Sequence, residues 1–584
     1  MKKIHIILIS ILCGLSSCTS VLDKEPLDII SDDVLWNDPV LIDNYLLQCY
    51  AEMCFFNEMP YGATQDWFNC MYATGFADEW TQTPKTHWLS ISGGDWDWWG
   101  YPTVRKLNVF IEKMETAPVD EAVRTARTAE ARFLRAFAYF NMVKRYGGVP
   151  LILKAQQLSD SPEELYPKRA TEEAVYQFIL DEMNDIIDNR LLPDAYGAAD
   201  LGRPTLYAAA ALKSRAAMYA GSIASWGTVQ IDGLVGIPAD KKEHFWQESL
   251  NASNRLLYGS PFALYEKYPD DRSKNYRNIF LDENNCEVIF SEIYDGKSGK
   301  GHSWDMWQNP SGYNAWAGGQ QNCVYLEFVE SYENIDGSDP TIDREKVAQY
   351  YTWTLDELWG KKDPRFKASI YTQGTPWTHE GASVTLDYHV GIFVDGQWIN
   401  DGFYEGVPAL GVCANNWRPT PFGILKYLDE SSAMIPERYY SKTDWIVFRL
   451  GEIYLNFAEA AFELNKPDSA LWAVNKIRAR AGMPELQSIT REQIRHERKI
   501  ELAFEGNRYW DVRRWRTAVQ DLSHAWHGMR YKLDWATQKY YVEIVDNICG
   551  TPEPYFNEMH YYWPIAQSRT QQNPNLLPNN PGWR

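Results

Sequence analysis

The sequence predicts an all-α chain: a tetratricopeptide-like frame of paired helices that carries one long, loop-rich and partly β insert. Three observations lead there. Apolar residues recur at helical spacing in several long stretches, those stretches close at Gly and Pro, and the middle of the chain drops the pattern for Gly, Pro, Asn and Trp.

Taken in order, the chain opens with an address. Lys2 and Lys3 precede an apolar run from Ile4 to Leu15, too short to cross a bilayer as a helix, which takes about 20 residues. Leu15-Ser16-Ser17-Cys18 has the form of a lipobox, so residues 1–17 are expected to leave as a signal peptide and Cys18 to carry the lipid. No later window holds 18 consecutive apolar residues, and the lipid is therefore the expected membrane attachment.

The helices follow. Thr128 to Tyr146 puts Phe133, Ala136, Phe137, Phe140 and Val143 on one face and stops at Gly147-Gly148-Val149-Pro150. Thr171 to Asn189 has Thr171 as its cap, with Glu172 and Glu173 in the first turn. Thr205 to Ala220 is Ala-rich, which lets a neighbouring helix approach closely. Gly451 to Asn465, then Pro467-Asp468, then a helix to Arg480 closed by Gly482 make a helix, turn, helix unit, with Tyr454, Ala458 and Ala460 at tetratricopeptide-like positions. Between them only short β-like runs stand out, Val288 to Tyr294 and Ile392 to Val394. The expected organisation is one compact domain: signal 1–17, helical part 18–265, loop-rich insert 266–444 and helical part 445–584.

Composition excludes some functions. With 57 Lys plus Arg against 78 Asp plus Glu, the formal charge is −21, and no nucleic acid partner is expected, because strand binding needs a basic face. The nine cysteines form no CxxC pair, so zinc and thioredoxin-type chemistry are not indicated. His524 and His527 read as a solvated helical face, and neither a metal nor a cofactor is expected. The 25 Trp, 36 Tyr and 23 Phe are many, and several fall in polar surroundings, where a ring usually has something to stack on.

Seven blocks stand in order: Leu22-Asp23-Lys24-Glu25-Pro26, Ala129 to Phe140, Gly202-Arg203-Pro204-Thr205, Asp363-Pro364-Arg365, Asp444 to Glu459, Arg495 to Trp515, and the end from Trp563-Pro564-Ile565 to Trp583. Together they resemble the SusD/RagB family of outer-membrane glycan-binding lipoproteins. The resemblance implies a lipid-anchored, surface-exposed outer-membrane protein that captures oligosaccharide or polysaccharide and passes it to a SusC-like TonB-dependent transporter without cleaving it. A glycosidase or lyase of helical fold is the rival reading, and a peptide-binding member of the same uptake family is a third.

Arg495 to Trp515 reads as a helical charge ladder, with Arg498 facing Glu501, Glu505 facing Arg508 and Asp511 facing Arg514. Glu497, Glu501 and Glu505 could be taken for catalytic carboxylates, but with five Arg and one Lys among them they should stay ionised, and no catalytic residue is expected here. Ligand contact is expected instead from two aromatic clusters. The first contributes Asp78 and Trp88; Trp98 and Trp99 nearby read as core. The second is Trp304, Trp307, Tyr313 and Trp316, in a loop rich in amides and glycines. Sugar CH faces pack on such rings while hydroxyls bind the polar rim.

Overall fold

The computed structural model describes residues 32–53, 55, 75, 77–82, 97–296, 301–313, 319–415, 418–430, 439–549 and 555–583. Cys18, Trp88 and Trp316 lie outside the described residues. Helix takes up 46% of the chain. Nine helices among the described residues have eleven residues or more: α1 (Pro39–Ala51), α2 (Tyr101–Met114), α3 (Glu121–Tyr146), α4 (Glu172–Asp188), α5 (Leu206–Trp226), α6 (Lys242–Gly259), α7 (Leu450–Glu463), α8 (Pro467–Ala481) and α9 (Arg491–Glu501).

Their ends follow from local chemistry. The Thr171 hydroxyl accepts from the Ala174 N–H at 3.1 Å and the Thr205 hydroxyl from the Ala208 N–H at 3.3 Å, each satisfying a donor that the first turn leaves open. Gly147 ends α3 at φ +70°, where a Cβ would lie 2.7 Å from the Leu234 carbonyl oxygen. Gly482 closes α8 in the left-handed region.

Successive helices pack side by side from α2 through α8, and α9 returns against α7. The small residues of α5 make the closest of these contacts. At Gly221 a Cβ would sit 2.8 Å from the Trp246 ring of α6.

The chain is not all-α. A four-stranded sheet runs Trp80–Gln82, Asn322–Val324, Gly423–Ile424, Ile370–Tyr371, and a five-stranded one runs Thr352–Trp353, Lys539–Val545, Gly528–Asp534, His389–Val394, Gln397–Ile399. Val288–Glu292 pairs with Trp445–Arg449. Each of these three joins strands of the 266–444 stretch to a strand from outside it, so the loop-rich part is sewn to both helical parts by backbone hydrogen bonds, while two small hairpins, Pro376–Thr385 and Phe403–Pro408, lie wholly within it. The four-stranded sheet escaped the sequence pattern because its strands of two or three residues carry no readable alternation, and 445–584 was expected to be helical although the seven-residue strands Gly528–Asp534 and Lys539–Val545 pair there. One apolar core runs from Trp36 to Trp563.

The charge ladder is rearranged. The helix stops at Glu501, the backbone turns with Phe504 at φ +60° and Gly506 at φ +79°, and a new helix spans Arg508–Arg514. Arg498 therefore meets Asp511 at 2.8 Å rather than Glu501, and Arg508 meets Asp78 at 2.7 Å rather than Glu505. Asp511 with Arg514, at 2.9 Å, is the one expected rung that forms.

Glu501 instead sits in a buried network. It takes Arg449 at 2.7 Å and Arg365 at 3.0 Å, as well as Arg480, while Arg365 also holds Asp363 and Glu497. Burial pushes the Glu501 carboxyl up, but the guanidiniums of Arg480, Arg449 and Arg365 outweigh it and hold the group well below the usual carboxylate range. At Glu497 burial prevails over Arg365 and Arg478 and the shift is upward. Both carboxylates are buried, so neither is placed to meet a substrate.

Candidate functional site

The four-stranded sheet sets where the two ring-bearing segments are rooted. Trp80–Gln82 runs antiparallel to Asn322–Val324, with Trp80 opposite Val324 and Gln82 opposite Asn322. The segment that carries Trp88 leaves the sheet at Gln82. The segment that carries Trp304, Tyr313 and Trp316 enters it at Asn322. Two stretches about 240 positions apart in sequence thus start from one sheet end.

Asp78 and Glu79 lock that strand in place. Asp78 is 3% exposed; its carboxylate takes Nε and Nη2 of Arg508 at 2.7 and 3.0 Å and Nζ of Lys499 at 2.9 Å. Burial raises its pKa, but the two cations prevail and leave it strongly lowered. Glu79 accepts the Phe504 N–H at 2.7 Å, and burial, with the charge of Asp78 adding, pushes it up to about 8. Asp78 is therefore an anchor between the sheet and the turn after α9, and not the ligand contact expected of it. Both its oxygens are taken, and a sugar hydroxyl would have to displace a buried ion pair.

Trp304 and Trp307 also correct the expectation. They lie in a short helix, Trp304–Gln308, whose five residues are all buried, and the rings are 1% and 0% exposed. The Trp304 indole N–H donates to the Lys426 carbonyl at 3.2 Å. His302 fixes the start of the turn, with Nε2 2.9 Å from the Thr443 carbonyl and Nδ1 accepting from the Trp304 N–H at 3.2 Å. Burial lowers the His302 pKa to about 4, so the ring is neutral at pH 7 and one nitrogen is free to accept. The polar residues that suggested an exposed loop are the ones that fold it inward.

Tyr313 is different. It is partly exposed, its ring centroid lies 4.9 Å from that of His379, and its carbonyl accepts from Nδ2 of Asn309 at 3.1 Å. Gln320 follows in the left-handed region at φ +54°, held by its N–H on the Asn309 carbonyl at 2.8 Å and by Nε2 on the Thr420 carbonyl at 3.0 Å. Arg418 donates to the Gly319 carbonyl at 2.5 Å. Sequence reasoning passed over His379, Asn309, Gln320 and Arg418; the signal that could have found them is the pairing of strands, which is not local.

Acid–base chemistry is poorly served here. Asp305 is pushed up to about 8, first by burial and then by the charge of Asp429, and Glu79 also lies near 8, but both carboxyls are fully buried. A glycosidase acid must reach the glycosidic oxygen. Among the described residues no group of three or more His, Cys, Asp or Glu could hold a metal ion. Trp98 is buried and Trp99 packs against the core, as expected.

A family model described as the SusD family matches residues 286–583, just over half of the chain. This chain belongs to the SusD family. A second model, described as starch-binding associating with outer membrane, matches residues 27–218 of the SusD-family chain. A SusD-like protein of Formosa agariphila is 26% identical over 87% of this chain and 90% of its own length. The crystal structure of a SusD-like protein from Bacteroides fragilis, 25% identical, superposes with a TM-score of 0.72 over 96% of this chain and all of its own. A SusD-like carbohydrate binding protein from the same species, 21% identical, shares the fold with a TM-score of 0.67 over 93% of this chain and all of its own. No helix among the described residues is long and apolar enough to cross a membrane, and the outer-membrane association in the second model's description needs none.

Proposed function

We propose that this SusD-family protein is a lipoprotein of the outer-membrane surface, held by lipid on Cys18, that binds oligosaccharide or polysaccharide and delivers it to a SusC-like TonB-dependent transporter without breaking a bond. The observation that carries the reading is the register of Gln82 against Asn322, which roots both ring-bearing segments at one sheet end. Trp88, Tyr313 and Trp316 supply the stacking faces. Trp304 and Trp307 brace the loop from within. The tetratricopeptide-like helices α2 to α8 form the rigid frame and offer the broad surface a permanent partner needs, typically above about 2,000 Å². The carbohydrate-binding relatives support the glycan; the buried state of the raised carboxyls supports binding over hydrolysis.

Calorimetric titration of the lipid-free chain with a panel of soluble glycans tests the reading. Stacking of one ring contributes about 1 to 3 kcal/mol in the comparable case of bases on aromatics, so a few rings give a Kd between about 1 μM and 1 mM for the right glycan. Release of new reducing ends during the titration would replace the binder with an enzyme. Fatty-acid label that persists in Cys18→Ala would remove the lipid anchor.

A further inference from the structure

A cavity of about 370 Å³ lies where α5 ends and the last segment of the chain closes over it; Trp226, Gln230, Arg516, Glu558, Tyr561 and Tyr562 are among its walls. The volume lies in the range of small-molecule sites. None of these residues belongs to the sheet end described above.

Its charge sets it apart. Arg365, Arg449, Arg480, Arg498 and Arg514 each hold a carboxylate oxygen at 2.8 Å or less. Arg516 lines this cavity and forms no ion pair among the described residues, and two more arginines without one, Arg495 and Arg513, stand behind its walls. The Arg516 guanidinium lies 4.6 and 4.9 Å from the Tyr561 and Tyr562 ring centroids and donates to the Tyr562 hydroxyl at 2.6 Å. Arg513 donates to the Tyr561 carbonyl, and its buried Nε and Nη1 have no acceptor. Arg495 stacks 4.7 Å from the Trp226 ring, and its Nε likewise has none.

The nearby carboxylates do not neutralise this set. Glu459 is taken by Arg514 at 2.6 Å and Glu463 by Arg491 at 2.6 Å. Glu172 accepts from the Tyr562 hydroxyl at 2.7 Å and the Gly236 N–H at 2.5 Å, and burial raises its pKa. Glu558 is exposed, where solvent screens it. In a chain of net charge −21, the walls of this aromatic hollow hold one guanidinium, Arg516, and one solvent-exposed carboxylate, Glu558, with the Arg495 and Arg513 guanidiniums behind them.

We infer that the cavity takes a sugar unit carrying an anionic group, a uronate carboxylate or a sulfate, with Arg516 as counter-ion, the Trp226 ring against its CH face and Gln230 on its hydroxyls. Guanidinium geometry suits both anions, since it offers paired N–H donors. The site is a second one, separate from the neutral stacking surface proposed above.

Calorimetric titration of the lipid-free chain with D-glucuronate, D-glucose 6-sulfate, D-glucose and sodium sulfate tests it. At least one anionic sugar should bind tenfold or more tightly than glucose and than inorganic sulfate, weaken as NaCl rises from 50 to 500 mM, and keep its affinity in Tyr313→Ala. Which of the two binds better identifies the anion. Arg516→Gln should cost at least tenfold and Arg516→Lys less. Because Arg516 braces Tyr562, the exposed Gln230→Ala serves as a variant that leaves the frame untouched, with a loss of threefold or more expected. No binding of either anionic sugar, equal binding of glucose, or affinity unchanged in both Arg516→Gln and Gln230→Ala overturns the inference.

Discussion

Trp304 and Tyr313 sit nine positions apart in one loop and live in different surroundings. The first opens a short buried helix, with its indole N–H on a backbone carbonyl; the second is only partly buried. Nothing in the residue types separates them. The difference is that His302 on the Thr443 carbonyl and Trp304 on the Lys426 carbonyl fix the start of the loop in the core, whereas around Tyr313 the ties to the body come after the ring, from Gln320 on Thr420 and from Arg418 on Gly319. Which bonds the loop makes to the body of the protein, and not its residue types, thus decides which of its rings is buried.

The comparison breaks most sharply on stability. Trp304→Ala should cost about 3 to 5 kcal/mol, the scale of a buried Trp truncation. Urea melts followed by circular dichroism measure it, and a loss below 1 kcal/mol would return the ring to the surface. Next comes the anchor: Asp78→Asn should cost about 1 to 3 kcal/mol, since Arg508 and Lys499 lose their shared charge in a buried place. The same melts read it, and glycan affinity at the folded baseline should change little.

Tyr313→Ala reverses the pattern. Stability should stay within about 1 kcal/mol of the parent, while glycan affinity falls about tenfold, or about 1.4 kcal/mol. Titration beside a melting curve separates the two, and unchanged affinity would take Tyr313 out of the site.

The last effect is on pH. Asp305 has a folded pKa near 8 against an unfolded value near 3.9, so between these the folded state holds a proton that the unfolded state has lost. Its contribution therefore favours the fold below about pH 4 and declines as pH rises toward 8. Asp305→Asn should flatten the fall in melting temperature between pH 5 and pH 8; an unchanged slope would mean that Asp305 titrates normally.

Much of the frame was legible because it is local. Helical spacing with Thr171 and Thr205 as caps, and Gly147 and Gly482 as stops, placed α3, α4, α5, α7 and α8 within a few residues of their observed ends, apart from the earlier start of α3 and the later end of α5. The charge ladder failed because i, i+3 spacing presumes an unbroken helix, and the left-handed Phe504 breaks it. The site was legible as a pair of segments and not as a place. Trp88 and Trp316 stand as sequence-based expectations, Tyr313 as a partly exposed ring, and Asp78, Trp304 and Trp307 as supports whose partners are remote in sequence. The small sheets were hidden for the same reason, since Gln82 gives no sign that it will lie beside Asn322.

That one register has a kinetic side. Closing a loop of some 240 residues is entropically slow compared with winding any of the helices, and contacts of such long separation are rewarded only after most of the chain has collapsed. Helix pairs such as α7 and α8 can form while the rest is still arriving. The sheet end cannot. That pairing is therefore among the last features the polypeptide acquires, and a chain interrupted anywhere before Asn322 keeps its earlier helices but lacks this sheet end.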